Sequence, residues 1–361
     1  MSSVARVAGV KAGAHTTRSH SARRPVVILC GLNLLLVVVS LGSLNLGPDY
    51  ISPTAIAGMA LQWLPIHPAR TWSDVDLTII SLVRFPRLLT AILVGAALAV
   101  TGTAFQAMFR NPLADPGIIG TSAGASMGAI LALALPIQAA WLGFSLVSMA
   151  AFGGALGAMF LVYFLARVGN RLPSTTLLLA GFAVSAAMNA AAALIESLSD
   201  QLRQMYIWLL GNLDQNTTQQ LVTSLPLLAI GMLGLFALAG DLNVLLLGDE
   251  QAHYLGMHVA RRRLLILVLG SLLAGTAVAL AGLIAFVGLL VPHIARILFG
   301  ANHRLLLPAS ALLGAIFLVV ADILARMVLA PQELPVGLVT ALVGAPWFLV
   351  LLRRKKGEYG F

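Results

Sequence analysis

About ten apolar runs, each close to the ~20 residues that a helix needs to cross the hydrocarbon core of a bilayer, follow one another along this chain with short polar connections between them. Nothing else in the sequence restricts the fold so strongly. A soluble domain has no interior large enough to hide such runs, and inside a bilayer each run must satisfy its own backbone N–H and C=O groups, which makes it a helix. With 59% hydrophobic and 10% charged residues among 361, the expected fold class is all-α: a polytopic transmembrane helical bundle of about ten transmembrane helices.

The runs fall at 26–46, 88–109, 118–135, 141–166, 177–195, 221–239, 264–280, 283–299, 305–324 and 336–352. The second is predicted to be central. Its Gly95, Ala97, Ala99 and Gly102 form a small-residue face on which other helices can approach closely, and its Gln106 needs a polar partner inside protein. Directly after it, Asn111-Pro112-Leu113-Ala114-Asp115-Pro116 ends the helix and turns the chain in a sharp hairpin. The pattern G-x-A-x-A-x-x-G occurs at 95–102 and again at 275–282, in spans of opposite expected direction. It reads either as an inverted repeat, a transporter habit, or as chance recurrence in Ala-rich helices.

The net charge of +9 is not spread evenly. Arg110, Arg167, Arg171, Arg261, Arg262, Arg263, Arg304 and the cluster at 353–356 sit on alternate connections, while the others carry Asp49, Asp74, Asp76, Glu196, Asp200, Asp214 and Glu333. The positive-inside bias then places both termini in the cytoplasm and accounts for the charge without nucleic acid. Residues 1–25, basic and without hydrophobic periodicity, are expected to form a disordered cytoplasmic tail, 26–352 the membrane domain and 353–361 a second cytoplasmic tail.

Several chemistries are poorly supported. Lys11, Lys355 and Lys356 are the only lysines and none precedes Ser or Thr, so the chain has no P-loop and is not expected to hydrolyse ATP by itself. The seven histidines show no H-E-x-x-H or other metal-ligand spacing, no G-x-S-x-G occurs, and the lone Cys30 forms no disulfide framework. No catalytic residue, metal site or cofactor is predicted; a membrane-embedded hydrolase lacks a nucleophile and base at recognisable spacing. The amphipathic interruption at 241–258 reads either as a solvated loop or as a short helix that docks in a groove of a soluble partner.

Seven stretches carry a family likeness: R-F-P-R at 84–87, N-P-L-A-D-P at 111–116, G-D-E-Q-A-H-Y-L-G at 248–256, G-L-I-A-F-V-G-L-L-V-P-H-I-A-R at 282–296, N-H-R-L-L-L-P-A-S-A-L-L-G-A at 302–315, A-D-I-L-A-R at 321–326 and E-L-P-V-G-L-V-T-A-L-V-G-A-P-W-F at 333–348. In this order they span nearly the whole chain after residue 80. With them the chain resembles the permease subunit of the iron-siderophore, haem and vitamin B12 family of type II ABC importers. The resemblance implies ten helices per subunit, a homodimer with two ATP-binding-cassette ATPase subunits, a periplasmic substrate-binding protein as a further partner, and a place in the bacterial inner membrane. It implies an inner gate at Asn111 and Leu113 on the hairpin and at Ser174 and Thr175 on a neighbouring cytoplasmic loop. It also implies binding-protein docking at Arg84, Arg87 and Arg326, and ATPase coupling within 241–260 by Gly248, Asp249, Glu250, Ala252, Leu255 and Gly256. The family often has Asp where Asn302 stands.

On the residues alone, other readings stay open. Arg326 lies four residues after Asp322 and can form an intrahelical ion pair; Arg84 and Arg87 can anchor at the interface; Ser174 and Thr175 can cap a helix; Pro292-His293 can be a kink with a satisfied histidine. Met188, Met205 and Tyr206 can meet a passing iron centre, although packing accounts for each. The expected function is import of haem or a similar bulky iron chelate, haem being favoured by the likeness of the carboxy-terminal half to haem permeases, with ferric siderophores and cobalamin as alternatives. The competing reading is an ion-coupled secondary transporter with Asp322 as its embedded carboxylate.

Overall fold

A computed structural model describes residues 23–62, 70–137, 139–169, 171–214 and 217–354. The predicted tails, apart from their inner edges, lie outside the described residues. Each predicted apolar run contains a helix: α1 (Arg23–Asn45), α4 (Phe85–Met108), α5 (Thr121–Ala134), α6 (Leu146–Ala166), α7 (Ser174–Leu198), α9 (Thr218–Ala237), α12 (Val259–Ala281), α13 (Val287–Phe299), α14 (His303–Met327) and α15 (Val336–Arg354). Between them lie the short helices α2 (Pro53–Leu61), α3 (Asp74–Thr78), α8 (Leu202–Leu209), α10 (Ala239–Leu245) and α11 (Asp249–Tyr254). Among the described residues seven helices are long and apolar enough to cross a membrane, while α5, α13 and the apolar part of α15 are shorter.

Local chemistry sets these lengths. The 118–135 run starts its helix only at Thr121, because Asp115 caps a 3-10 turn at Pro116–Ile119 and Gly120 is left-handed (φ 84°). The 141–166 run first makes a small antiparallel hairpin, Ala140–Trp141 with Phe144–Ser145, and Ser145 then caps α6 by accepting from the Ser148 N–H. The stretch between the first two apolar runs holds α2, a capping box at Ser73 and Asp76 that starts α3, and a π-helical stretch, Ile79–Arg84, that runs straight into α4.

At the centre stand α4, α12 and α14, mostly buried, with α1 and α7 mostly exposed on the outside. The small-residue face of α4 is what allows this. A Cβ on Gly95 would lie 2.3 Å from the Gly314 carbonyl oxygen, and one on Gly102 would lie 1.8 Å from that of Gly288, so α14 and α13 touch α4 backbone to backbone. Gln106 finds its partners there: its Nε2 donates to the Leu289 carbonyl at 3.1 Å and its Oε1 accepts from Arg296 at 3.0 Å.

The two copies of the glycine pattern lie on neighbouring antiparallel helices. α4 runs antiparallel to α12, with Thr101 and Phe105 at Gly270 and Leu98 facing a cavity shared with Ala274 and Val278. Each of the two is followed by a segment without α-helix and then a short helix, α5 or α13. The packing also exchanges: α4 lies on α14, two helices beyond α12, and α12 lies through Gly275 on Phe152 and Ala155 of α6, two apolar helices beyond α4.

Candidate functional site

The predicted gate and coupling residues gather at one end of the bundle. α4 ends where Arg110 takes a left-handed conformation (φ 51°), and Asn111 then builds a turn by accepting the Leu113 N–H at 2.9 Å. Asp115, half-buried, accepts the Gly117 N–H at 2.8 Å; burial pushes its carboxyl above the usual carboxylate range, opposed by that hydrogen bond. The second gate segment, expected as a loop, forms the first turn of α7, and neither Ser174 nor Thr175 caps it. Pro173 occupies the cap position, and Thr176 Oγ1 donates to the Pro173 and Ala166 carbonyls. Ser174 Oγ is buried with no hydrogen-bond partner among the described residues, and Thr175 is exposed.

The interruption at 241–258 contains the predicted short helix. Gly248 (φ 108°) is required where the chain turns from α10 into α11, and a Cβ there would meet Gln251 Oε1 at 2.6 Å. Ala252 faces inward, fully buried, whereas Tyr254 and Leu255 are 86% and 66% exposed and Glu250 and Gly256 are also at the surface. Asp249 turns back toward the bundle. It accepts from Arg263 at 2.8 Å and lies 3.7 Å from Arg110, and Arg263 donates to the Leu172 carbonyl at 2.8 Å. One carboxylate thus joins α11 to the segments that carry Asn111 and Leu113 on one side and Ser174 and Thr175 on the other.

The three predicted docking arginines also cluster, at the opposite end, but as buried groups. Arg84, Arg87 and Arg326 are each under a tenth exposed. A helix leaves its last carbonyls without intrahelical donors, and at the end of α1 the guanidinium groups supply them. Arg84 Nη1 donates to the Leu44 carbonyl at 2.6 Å and its Nη2 to that of Asp49; Arg326 donates to the Leu46 carbonyl at 2.8 Å and to Ser43 Oγ at 2.8 Å. Arg87 bridges Asp322 at 2.7 Å and Glu333 at 2.5 Å, and Arg326 reaches the other oxygen of Asp322 at 3.0 Å. The intrahelical Asp322–Arg326 pair is therefore present. The chain's own backbone carbonyls and acids hold most of the donors of these guanidinium groups, while Arg87 Nη2 is buried with no hydrogen-bond partner among the described residues.

Other positions take plainer roles. His293, beside Pro292, lies buried edge-on to Trp347, 6.1 Å between ring centres, and Met205 is fully buried in packing while Tyr206 is exposed. Asn302 caps α14 through the Arg304 N–H at 3.1 Å and accepts from Asn243 at 3.0 Å, so the amide fits where the resembling family often has an acid. The sequence reading missed Arg263, although helical spacing places it on the buried stripe of Ile266, Leu267 and Gly270, unlike its exposed neighbours Arg261 and Arg262.

The comparisons with known proteins identify the family. The family model described as the FecCD transport family matches residues 34–354. The hemin transport system permease protein HmuU of Yersinia pestis is 42% identical over 93% of this chain and 98% of its own length. The cobalamin import system permease protein BtuC of Halobacterium salinarum is 38% identical over 92% and 97%. A solved structure of a metal-chelate type ABC transporter in an inward-facing conformation superposes with a TM-score of 0.79, at 32% identity, over 91% of this chain and 99% of that one. With the match running from within α1 to the end of α15 and taking in the two end clusters, the chain belongs to the FecCD transport family.

Proposed function

We propose that the chain is the membrane permease subunit of an ATP-binding-cassette importer that carries haem, or a similarly bulky iron chelate, across a bacterial inner membrane. It works as a homodimer with ten spans per copy and both termini cytoplasmic, together with two ATPase subunits and a periplasmic binding protein. The observation that carries this reading is α11: a short helix that turns Tyr254 and Leu255 away from the bundle at its basic end, as a helix seated in a partner's groove requires. The chain has no P-loop lysine, so ATP binding belongs to that partner. Closure of the paired ATPases would move the two α11 helices and, with them, Asn111, Leu113, Ser174 and Thr175 of the inner gate. The orphan Ser174 hydroxyl fits a gate completed by the second copy.

At the outer end we place the binding-protein contact on the surface that Arg84, Arg87 and Arg326 hold in shape, with half-exposed Glu333 at its edge. Haem is favoured as substrate by the likeness to the Yersinia hemin permease, with siderophores and cobalamin next. The ion-coupled alternative is disfavoured by Asp322, whose two oxygens are both held by arginines and offer nothing to a passing cation. The test is uptake into proteoliposomes holding the chain, its cognate ATPase and binding protein. Haem should accumulate only with ATP, in competition with unlabelled haem and weakly with cobalamin or a ferric siderophore. Uptake driven by an ion gradient without ATP would overturn the proposal.

A further inference from the structure

We infer that Arg110 and Arg263 are positioning residues that split the movement of α11 between the two gate segments, with Asp249 as the shared joint. This rests on the importer reading above. Asp249 is the first residue of α11, and its carboxylate pairs with Arg110 at the hairpin and with Arg263 of α12, which in turn donates to the backbone just before Ser174. Toward α4 it faces Arg110, which is held left-handed at the helix end immediately before Asn111, and whose Nη1 would lie 3.2 Å from a Cβ built on Gly248. Toward α7 it accepts from Arg263, which is 2% exposed and has its Nη1 committed to the Leu172 carbonyl, two residues before Ser174.

The two arms differ in strength, and that difference makes the inference specific. The Arg263 arm is short and hydrogen-bonded, its arginine is buried, and it ends on backbone, so a displacement of Asp249 is passed to the 171–173 turn as through a strut. The Arg110 arm is a 3.7 Å ion pair between half-exposed side chains, so it yields and reforms more easily. The Ser174 and Thr175 segment therefore follows α11 rigidly, while the Asn111 and Leu113 hairpin follows through a contact that is weaker in water. Packing alone does not make this link. Of the residues in α11 only Ala252 is buried, and its side chain is too small to carry a directed load. A physical coupling path needs an element with two arrangements that both sites bias, and the carboxylate with two basic partners supplies one.

The experiment uses the full complex in proteoliposomes on a Cys30→Ser background, since Cys30 is the only native cysteine. Single cysteines at Leu113→Cys and Thr175→Cys report each gate segment by the rate of maleimide labelling with and without a non-hydrolysable ATP analogue. With both arginines present, both rates should change with nucleotide. If neither does, while ATP-driven uptake is intact, these segments are not the gate and the inference fails with that assignment. If there is no ATP-driven uptake at all, the importer reading itself fails. Arg110→Asn keeps a residue tolerant of the left-handed conformation but removes the charge; it should abolish the Leu113→Cys response and leave that of Thr175→Cys. Arg263→Gln should do the reverse, and Arg263→Lys, which keeps the charge on Asp249, should restore part of it. In each variant the ATP hydrolysed per substrate imported should rise by roughly tenfold, within the range of ordinary coupling energies. Loss of both responses in either variant would show a general structural effect, and survival of both would show that α11 moves the gate by other contacts; either overturns the inference.

Discussion

A guanidinium group buried in a helical membrane protein must find acceptors, and in this chain nearly all of them lie far away in sequence. Arg87 meets Asp322 and Glu333, and Arg84 and Arg326 meet the carbonyls at the end of α1. Replacing Arg87 with Leu leaves Asp322 buried with only Arg326 opposite it, a change that typically destabilises by about 3–5 kcal/mol. The purified variant should show a clearly lower unfolding temperature in detergent. Glu333→Gln, at a side chain 37% exposed, should lose under about 1 kcal/mol. A variant at Arg87 with unchanged unfolding temperature and selectively lost binding-protein association would return the arginine to a direct docking role. Of this cluster only the Asp322–Arg326 pair was legible in the sequence, because i and i+4 on a helix are neighbours by geometry. The link from Arg87 to Asp322 depends on which helices pack together. The grip of Arg84 on the end of α1 ends on backbone carbonyls, which every residue has and no pattern marks.

Element lengths follow from how the chain turns more than from its hydropathy. The apolar runs were readable because each must be a helix in lipid, yet Ile118 and Ile119 are as apolar in a 3-10 turn as in a helix, so the start of α5 was not. The glycines of α4 were legible as a packing face, and they give a sharp test. Gly102→Ala pushes a methyl group into the Gly288 carbonyl and should destabilise by at least ~3 kcal/mol, the upper part of the overpacking range, with loss of folded yield. Gly31→Ala in α1, where a Cβ meets nothing within 4 Å, should be neutral or stabilising by up to about 1 kcal/mol. The hairpin before α5 carries a pH signature. Because burial raises the Asp115 pKa in the folded chain from its ordinary 3.8, the folded state favours the protonated acid. That preference is fully present below pH 3.8 and is lost as pH rises through the folded value, so the ionised carboxylate weighs against the fold at neutral pH. Asp115→Asn keeps an acceptor for the Gly117 N–H and should unfold at a higher temperature than the natural chain at neutral pH, with the difference vanishing in acid. Equal unfolding temperatures across the whole range would refute it.

At the scale of the molecule, burial divides the helices into a core of α4, α12 and α14 and a periphery that includes α1 and α7, and these two peripheral helices differ in how many small and polar side chains they turn outward. α1 exposes Val26, Val27, Leu34, Leu35, Val37, Val38 and Leu41, a surface as apolar as lipid tails. α7 exposes Thr175, Leu179, Phe182, Ala186, Asn189, Ala193 and Ser197 along one face, apolar near its start and small or hydrogen-bonding beyond Phe182, with Leu194 and Leu198 exposed beside it. Small and hydrogen-bonding side chains on a membrane helix belong against another helix or a watered passage, because in lipid their polar groups go unsatisfied. α7 begins at Ser174 and Thr175, so the same face that carries the proposed gate continues along the helix toward the opposite end of the bundle. The paired copies are therefore expected to bring their α7 helices together around the central path, with α1 turned to lipid. On the Cys30→Ser background, cysteines placed by Asn189→Cys and Ala193→Cys should react readily with a hydrophilic maleimide, at rates that change with nucleotide, and should crosslink between copies. Val37→Cys and Val38→Cys should stay protected in every state. If the α7 positions are as protected as those of α1 throughout the cycle, α7 faces lipid, and a passage between two copies of this helix is ruled out.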